Sequence, residues 1–491
     1  MSDRSAVVWT RASGTPRRLG LLVKAGERVR FTYDPEVGDL PGITVVHDTT
    51  KTRNRTIEYV STEANPLPPM FQSLVPPRHE QNLQRRILMH LIGRSGGRVD
   101  AGADLDWQML VMAGRNGIGH LDVFASDEAA LAYYDRPTQS FTLDEIADGP
   151  LWHLVSDATS PTADAVSIEE VVETIRSHPT VGGMMPKLLV NLRRSDGTTV
   201  DALVKIGTPD FPHVLALENL AYEIHDRIGV HRPFKRYQRT EDGVEVLATE
   251  RFDRSEGRPL PLESVFTALY AASAGKIQSR WSEEGLRPSL ETVATALTTP
   301  MTGMSSFPGR DCRELFRRTV MGLLTGNGDN HLENHSILGE RRKAGLSPLY
   351  DPAPMRGYHR HQMVSSVSFG GVAFRQGAVP ADLGEAVLRF GEACGLQGRV
   401  VRQEMARCLE ATADFADLAK DVAPGPVGAA LAGRLEGVRY RVERASLANV
   451  PRPAVSGAIP DGLREEPVDE MEVEGVTVET ADHRRVTPSW G

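Results

Sequence analysis

The stretch Gly326-Asn327-Gly328-Asp329-Asn330-His331-Leu332-Glu333-Asn334-His335-Ser336, followed by Leu349-Tyr350-Asp351, brings an acid, an amide and a second acid into a short span. Asp329 and Asn334 are five positions apart, and Asp351 lies 22 positions beyond Asp329. These residue types suit magnesium-assisted phosphoryl transfer, a reaction that asks the protein for a positioned base and for ligands to the metal on the phosphates. Asp329 can accept a hydrogen bond from a substrate hydroxyl, while Asn334 and Asp351 offer the hard oxygens that magnesium takes. Read alone, an Asn/Asp/Gly-rich stretch also describes an ordinary solvated turn. The choice between the two rests on whether the rest of a nucleotide site is present.

Three further segments bear on it. Thr180-Val181-Gly182-Gly183-Met184-Met185-Pro186-Lys187 precedes the apolar run Leu188 to Leu192. Gly182 and Gly183 let backbone amides approach a phosphate, and Lys187 supplies positive charge; a hairpin turn is the competing reading. Val200 to Ile206 is a strand candidate that places Lys205 among apolar neighbours, a costly position without a partner. The helix candidate Val214 to Ile228 offers Glu218, and a strand lysine paired with a helix glutamate is how kinases position the α- and β-phosphates. An exposed edge lysine is the alternative. The strand candidate Val244 to Thr249 runs into Glu250-Arg251-Phe252-Asp253-Arg254, where a two-lobed kinase has its hinge. There Phe252 can pack on a base and Asp253 can bond a ribose; a charged strand end fits the same residues. A metal site built on His331 and His335 is disfavoured, because Glu333 stands at the wrong offset for H-E-x-x-H.

Taken together and in this order, these residues resemble the HipA-like serine/threonine kinases, the toxin kinases of bacterial toxin–antitoxin modules. Asn327-x-Asp329-x-His331-x-x-Asn334-x-Ser336 and Tyr350-Asp351 are similar to that family's catalytic loop and metal motif. Glu250 to Arg254 is similar to its hinge, and Val181-Gly182-Gly183 through Lys187 to its phosphate loop. The likeness spans roughly residues 170 to 445 and extends more weakly to Val7 to Tyr33.

The resemblance implies Asp329 as catalytic aspartate and Asn334 and Asp351 as holders of Mg2+. It implies ATP contacts by Gly182, Gly183, Lys187, Lys205, Glu250, Phe252, Asp253 and His331, with Glu218 supporting Lys205. Thr180 stands where the family autophosphorylates a serine and silences itself. The implied substrate is a protein of translation, such as an aminoacyl-tRNA synthetase. The implied partner is a small helix-turn-helix antitoxin, through which alone DNA is contacted. Two departures bear on rate: Glu333 replaces a residue that is commonly basic, and Met184-Met185 replace polar residues. A catalytically weak nucleotide-binding regulator acting through a DNA-binding partner is the second reading.

Positioning these residues takes several elements. With 491 residues, the chain has room for two or three domains. Its 40% hydrophobic and 25% charged content is that of a soluble globular protein, and a net charge of −9 argues against extensive nucleic-acid contact by the chain itself. Three scattered cysteines, Cys312, Cys394 and Cys408, favour buried thiols in a reducing cytoplasm over disulfides or zinc. No apolar run is long enough for membrane insertion.

The expected class is α+β: a two-lobed, protein-kinase-like fold with a strand-rich N-lobe, a helical C-lobe and a small β-containing N-terminal domain. Residues 1–150 begin with strands at Ala6 to Trp9, Gly20 to Lys24 and Val29 to Tyr33, with a helix near Gln81 to Ile92. Residues 151–265 form the strand-rich lobe with phosphate loop and hinge. Residues 266–447 are helical, including Cys312 to Thr325 ended by Gly326, Leu383 to Cys394, and Val401 to Leu418. Residues 448–491 form an acidic tail expected to be disordered.

Overall fold

The computed structural model describes residues 4–47, 56–62, 66–78, 82–94, 96–97, 102–136, 140–147, 187–241, 243–273, 275–276 and 288–447. Thr180, Gly182, Gly183 and the tail 448–491 lie outside the described residues.

Near the N-terminus, short runs rich in β-branched and aromatic residues fold as β1 (Arg4–Thr10), β2 (Arg17–Ala25) and β3 (Arg28–Tyr33), as their composition predicts. β4 (Thr56–Val60) and β5 (Asp122–Phe124) complete an antiparallel sheet ordered β4-β3-β2-β1-β5. Val8, Leu22 and Phe31 of this sheet share a core with Trp107 and Leu110 of the helix Ala103–Ala113.

A second five-stranded sheet has the order β6-β7-β8-β10-β9, from β6 (Ser140–Phe141), β7 (Lys187–Arg193), β8 (Thr199–Ile206), β9 (Lys235–Arg239) and β10 (Glu245–Glu250). Only the β6–β7 pairing among these is parallel. β6 lies before residue 150 and belongs to the second sheet. Its position follows from burial, since Leu143 and Ile146 just after it pack on Leu188, Val190 and Val204. Because strand side chains alternate, Ala202, Val204 and Ile206 face that core, while Lys205 faces the helix Val214–Asp226.

After the hinge, β11 (Arg254–Ser255) pairs with β12 (Arg258–Pro259), and β13 (Leu262–Ser264), β14 (Ser336–Leu338) and β15 (Gly345–Leu346) make a small sheet. The remainder is helical. The helix Pro308–Thr325 buries Leu315, Phe316, Val320, Leu323 and Leu324, and Gly326 ends it in the left-handed conformation at φ 80°. Glycine adopts that conformation without a Cβ clash.

One helix expected from Val401 to Leu418 is two, Gly398–Ala411 and Phe415–Val422. At the break, the Thr412 hydroxyl donates back to the Cys408 carbonyl at 2.8 Å, and Arg439 donates to the carbonyls of Leu409 and Thr412. These side chains satisfy carbonyls that continued helix would have used. All three cysteines are buried and free. Among the described residues no helix is long and apolar enough to cross a membrane.

Candidate functional site

In the antiparallel pair β7–β8, Lys187 stands directly opposite Lys205, so both side chains leave the sheet on the same face. The helix Val214–Asp226 runs beneath that face and presents Glu218 and Tyr222, one turn apart. The Lys205 Nζ donates to both Glu218 carboxylate oxygens, at 2.6 and 2.8 Å, and to Asp351 Oδ1 at 2.6 Å. Lys187 Nζ stands 3.6 Å from Asp351 Oδ2. Tyr222 contributes as well, because its hydroxyl accepts the Asp351 N–H at 3.2 Å. Asp351 itself adopts a left-handed backbone at φ 53°, a conformation that costs a non-glycine residue roughly 1–2 kcal/mol and that gathers at functional sites.

These contacts set the charges. Burial pushes the Lys205 ammonium toward neutrality, but the Asp351 and Glu218 carboxylates outweigh it and raise its pKa above the ordinary lysine value. Burial raises Asp351 too, yet Lys205 and then Lys187 hold it well below the usual carboxylate range. For Glu218 burial prevails over Lys205, and its pKa is raised. The result is a charged, buried lysine held between two acids.

The loop after Gly326 is fixed from within. Gly328 admits no side chain: a Cβ there would stand 2.1 Å from the Met363 carbonyl oxygen. Asn334 Nδ2 donates to the Asp329 carbonyl at 2.7 Å, and the Asn334 amide oxygen has no hydrogen-bond partner among the described residues. The Glu333 N–H donates to His331 Nδ1 at 3.2 Å, and the Tyr350 hydroxyl donates to the Glu333 carbonyl at 2.6 Å. Asp329 is half-buried, and its pKa is raised chiefly by burial, with His331 opposing and the Asp351 charge adding to the rise. Asp329 and Asp351 therefore feel one another, and His331 acts on both.

Phe252 lies against Tyr350, ring centroids 5.9 Å apart, which sets the hinge beside the residue preceding Asp351. Glu250 ends β10, with its N–H bonded to the Phe234 carbonyl and its carboxylate held by Arg194 at 3.0 Å.

Asp253 differs from its sequence reading. It is buried; its Oδ1 accepts from Arg251 at 2.9 Å, and its Oδ2 accepts from Arg251, Arg254 and the Gly119 N–H at 2.8 to 3.0 Å. Burial alone would raise this carboxyl, but the two arginines bring it down to about 2. Asp253 pins the hinge to the N-terminal domain, and both of its oxygens are engaged there and not directed to a ribose.

Lys187, Lys205, Glu218 and Asp351 thus meet, and Asp329, His331 and Asn334 share the adjoining loop. Gly182, Gly183 and Thr180 lie outside the described residues. Tyr222 escaped the sequence reading, although its position four residues after Glu218 in a helix was the available signal. Glu263 escaped it as well. It bonds the Thr44 hydroxyl at 2.9 Å and the Val45 N–H at 2.5 Å, tying β13 to the N-terminal domain. Nothing in the local pattern around Glu263 marks that contact.

The HipA-like C-terminal domain family matches residues 180–416. No curated protein matches the chain. Among solved structures, HipA of Shewanella oneidensis MR-1, determined with HipB and its operator DNA, is 15% identical with a TM-score of 0.56, over 90% of this chain and 100% of that one. The proinflammatory kinase CtkA of Helicobacter pylori is 13% identical with a TM-score of 0.35, over 54% of this chain and 92% of that one. The HipA likeness establishes a shared fold, the two-lobed α+β arrangement that the sequence implied.

Proposed function

We propose that this chain, whose residues 180–416 form a HipA-like C-terminal domain, is an ATP- and Mg2+-dependent serine/threonine protein kinase acting as the toxin of a toxin–antitoxin module. The observation that carries this reading is Lys205 held between Glu218 and Asp351 beside the Asp329 loop. Such a lysine takes the α- and β-phosphates, and its glutamate keeps it in place when the nucleotide arrives. Asp351 and the unengaged amide oxygen of Asn334 fit Mg2+, which keeps several waters and is held by one or two protein oxygens together with substrate phosphates. When bound, the ion would offset the charge that develops on the transferred group. The raised pKa of Asp329 suits a group that accepts the substrate hydroxyl proton. Lys187, Glu250, Phe252 and His331 are further ATP contacts in this reading, as are Gly182 and Gly183.

The partner in this reading is a small helix-turn-helix antitoxin, supported by the HipB and operator DNA in the Shewanella complex. DNA is reached through that partner. The substrate is a protein of translation, and Thr180 is the self-modified hydroxyl. The site is cytoplasmic in this account.

One observation favours the second reading, a weakly catalytic nucleotide-binding regulator: Lys205 engages Asp351 Oδ1 directly at 2.6 Å, so this oxygen is shared with a cation before any metal arrives. Incubation with γ-labelled ATP and Mg2+ separates the two. Label on protein that depends on Asp329 supports the kinase; tight ATP binding without transfer supports the regulator.

A further inference from the structure

Arg356 sits in the one-turn helix Met355–Gly357, five positions after Asp351, and is 3% exposed. Its backbone N–H donates to the Gly326 carbonyl at 3.0 Å. Its side-chain stem lies against Gly328, with Cγ 3.1 Å from where a Cβ on that glycine would be. Arg356 therefore packs against the loop that carries Asp329.

Two of its guanidinium nitrogens, Nε and Nη1, are buried without a hydrogen-bond partner among the described residues. None of the described ion pairs includes Arg356. The charged group that bears on it is another cation: Arg434, half-buried on the helix Pro426–Leu447, donates through Nη1 to the carbonyls of Arg356 and Tyr358. Burial first, and Arg434 second, lower the Arg356 pKa to about 10, still far above neutrality.

A buried charge without a partner is among the more expensive arrangements in a protein. Buried polar groups are nearly always satisfied, so two orphaned N–H groups on one cation call for a partner that the described residues do not supply. A guanidinium cannot relieve the cost by losing its proton, and its planar donors match the oxygens of a phosphate. Two adjacent arginines with no acid between them make the site selective for a doubly charged oxyanion over a single carboxylate.

We propose that Arg356, with Arg434 beside it, forms a binding site for a phosphate-type oxyanion, either a phosphorylated side chain or free inorganic phosphate, that braces the Asp329 loop from below. None of the contacts described for Arg356 involves Lys187 or Lys205, and occupancy of this site does not require that the chain transfers phosphate. Occupancy pairs the orphaned donors and ties Gly326 to Asp329 to the helix Pro426–Leu447. Loop order at the candidate base then depends on the anion.

The test is thermal melting of the full chain, first treated with phosphatase, in inorganic phosphate and in chloride at matched ionic strength. The expected result is a saturable rise of about 2–4 °C in the intact protein. The rise persists in Lys187→Met, which weakens the other phosphate-binding face, shrinks in Arg356→Lys and vanishes in Arg356→Met. In chloride, Arg356→Met melts at or above the intact protein, because an unpaired buried charge has been removed. A phosphothreonine peptide acting at tenfold lower concentration than inorganic phosphate assigns a phosphorylated side chain; equal potency assigns the free ion. The proposal is overturned by the absence of any rise, by a rise that survives Arg356→Met, or by Arg356→Met melting several degrees below the intact protein in chloride.

Discussion

Lys205 Nζ stands 2.6 Å from Asp351 Oδ1, joining a strand of the N-lobe to a residue 146 positions later in the chain. The contact closes the site across the two lobes, and Glu218 holds the same ammonium from below. Removing the lysine and removing the distal acid should therefore have different consequences.

Lys205→Met leaves Glu218 and Asp351 facing one another with no cation between them but the more distant Lys187. Breaking a buried ion pair from one side costs about 3–5 kcal/mol, and phosphoryl transfer is lost with it. Asp351→Asn keeps the Lys205–Glu218 pair, so transfer is lost at little cost in stability. Urea denaturation alongside the transfer assay checks both. Equal stability in the two variants would break the triad argument.

Asp253→Ala leaves Arg251 and Arg254 buried without their shared acid. The expected loss is again about 3–5 kcal/mol, read as a lower denaturation midpoint. The Asp253 contacts to Arg251, Arg254 and Gly119 are the cause. A ribose-binding role predicts the opposite pattern: unchanged stability with weaker ATP binding by calorimetry.

Much of this architecture was legible because it is local. Strand runs, the apolar face of Pro308–Thr325 and the glycine that stops it all follow from period and backbone freedom. Lys205 and Glu218 were legible as a pair because a charge inside an apolar strand demands an opposite charge nearby. Asp253 was misjudged for the converse reason. Its partner Gly119 N–H is 134 residues away, so its neighbours in sequence, Arg251 and Arg254, read equally as a charged strand end when they are the walls of a buried clamp. The break at Thr412 was likewise invisible, because Arg439 caps it from another helix.

Glu263 supplies a pH prediction. Burial raises its carboxyl to about 7, with the Val45 N–H and Thr44 hydroxyl opposing, and its second oxygen is buried without a partner. A carboxyl whose folded value lies above its ordinary value of 4.5 contributes stability that is complete below 4.5 and is lost as pH rises through 7. Glu263→Gln keeps both acceptor contacts and cannot ionise. It should melt higher than the intact protein at pH 8, with a difference of about 1 kcal/mol or more, and match it near pH 5. Parallel melting curves for the two proteins across that range would refute the assignment.

Asn334→Ala removes the bond to the Asp329 carbonyl and the free amide oxygen together. The Mg2+ concentration for half-maximal transfer should rise at least tenfold, in line with the usual effect of losing a group that ligates or orients at a metal site. Unchanged Mg2+ dependence would remove Asn334 from the metal.

The central claim is tested most directly by labelling a recipient protein, or the chain itself, with γ-labelled ATP and Mg2+, comparing the intact chain with Asp329→Asn. The account predicts incorporation by the intact chain and a loss of 100-fold or more in the variant, the scale on which a general base contributes. Equal incorporation by both proteins, or bound ATP with none transferred by either, would contradict it.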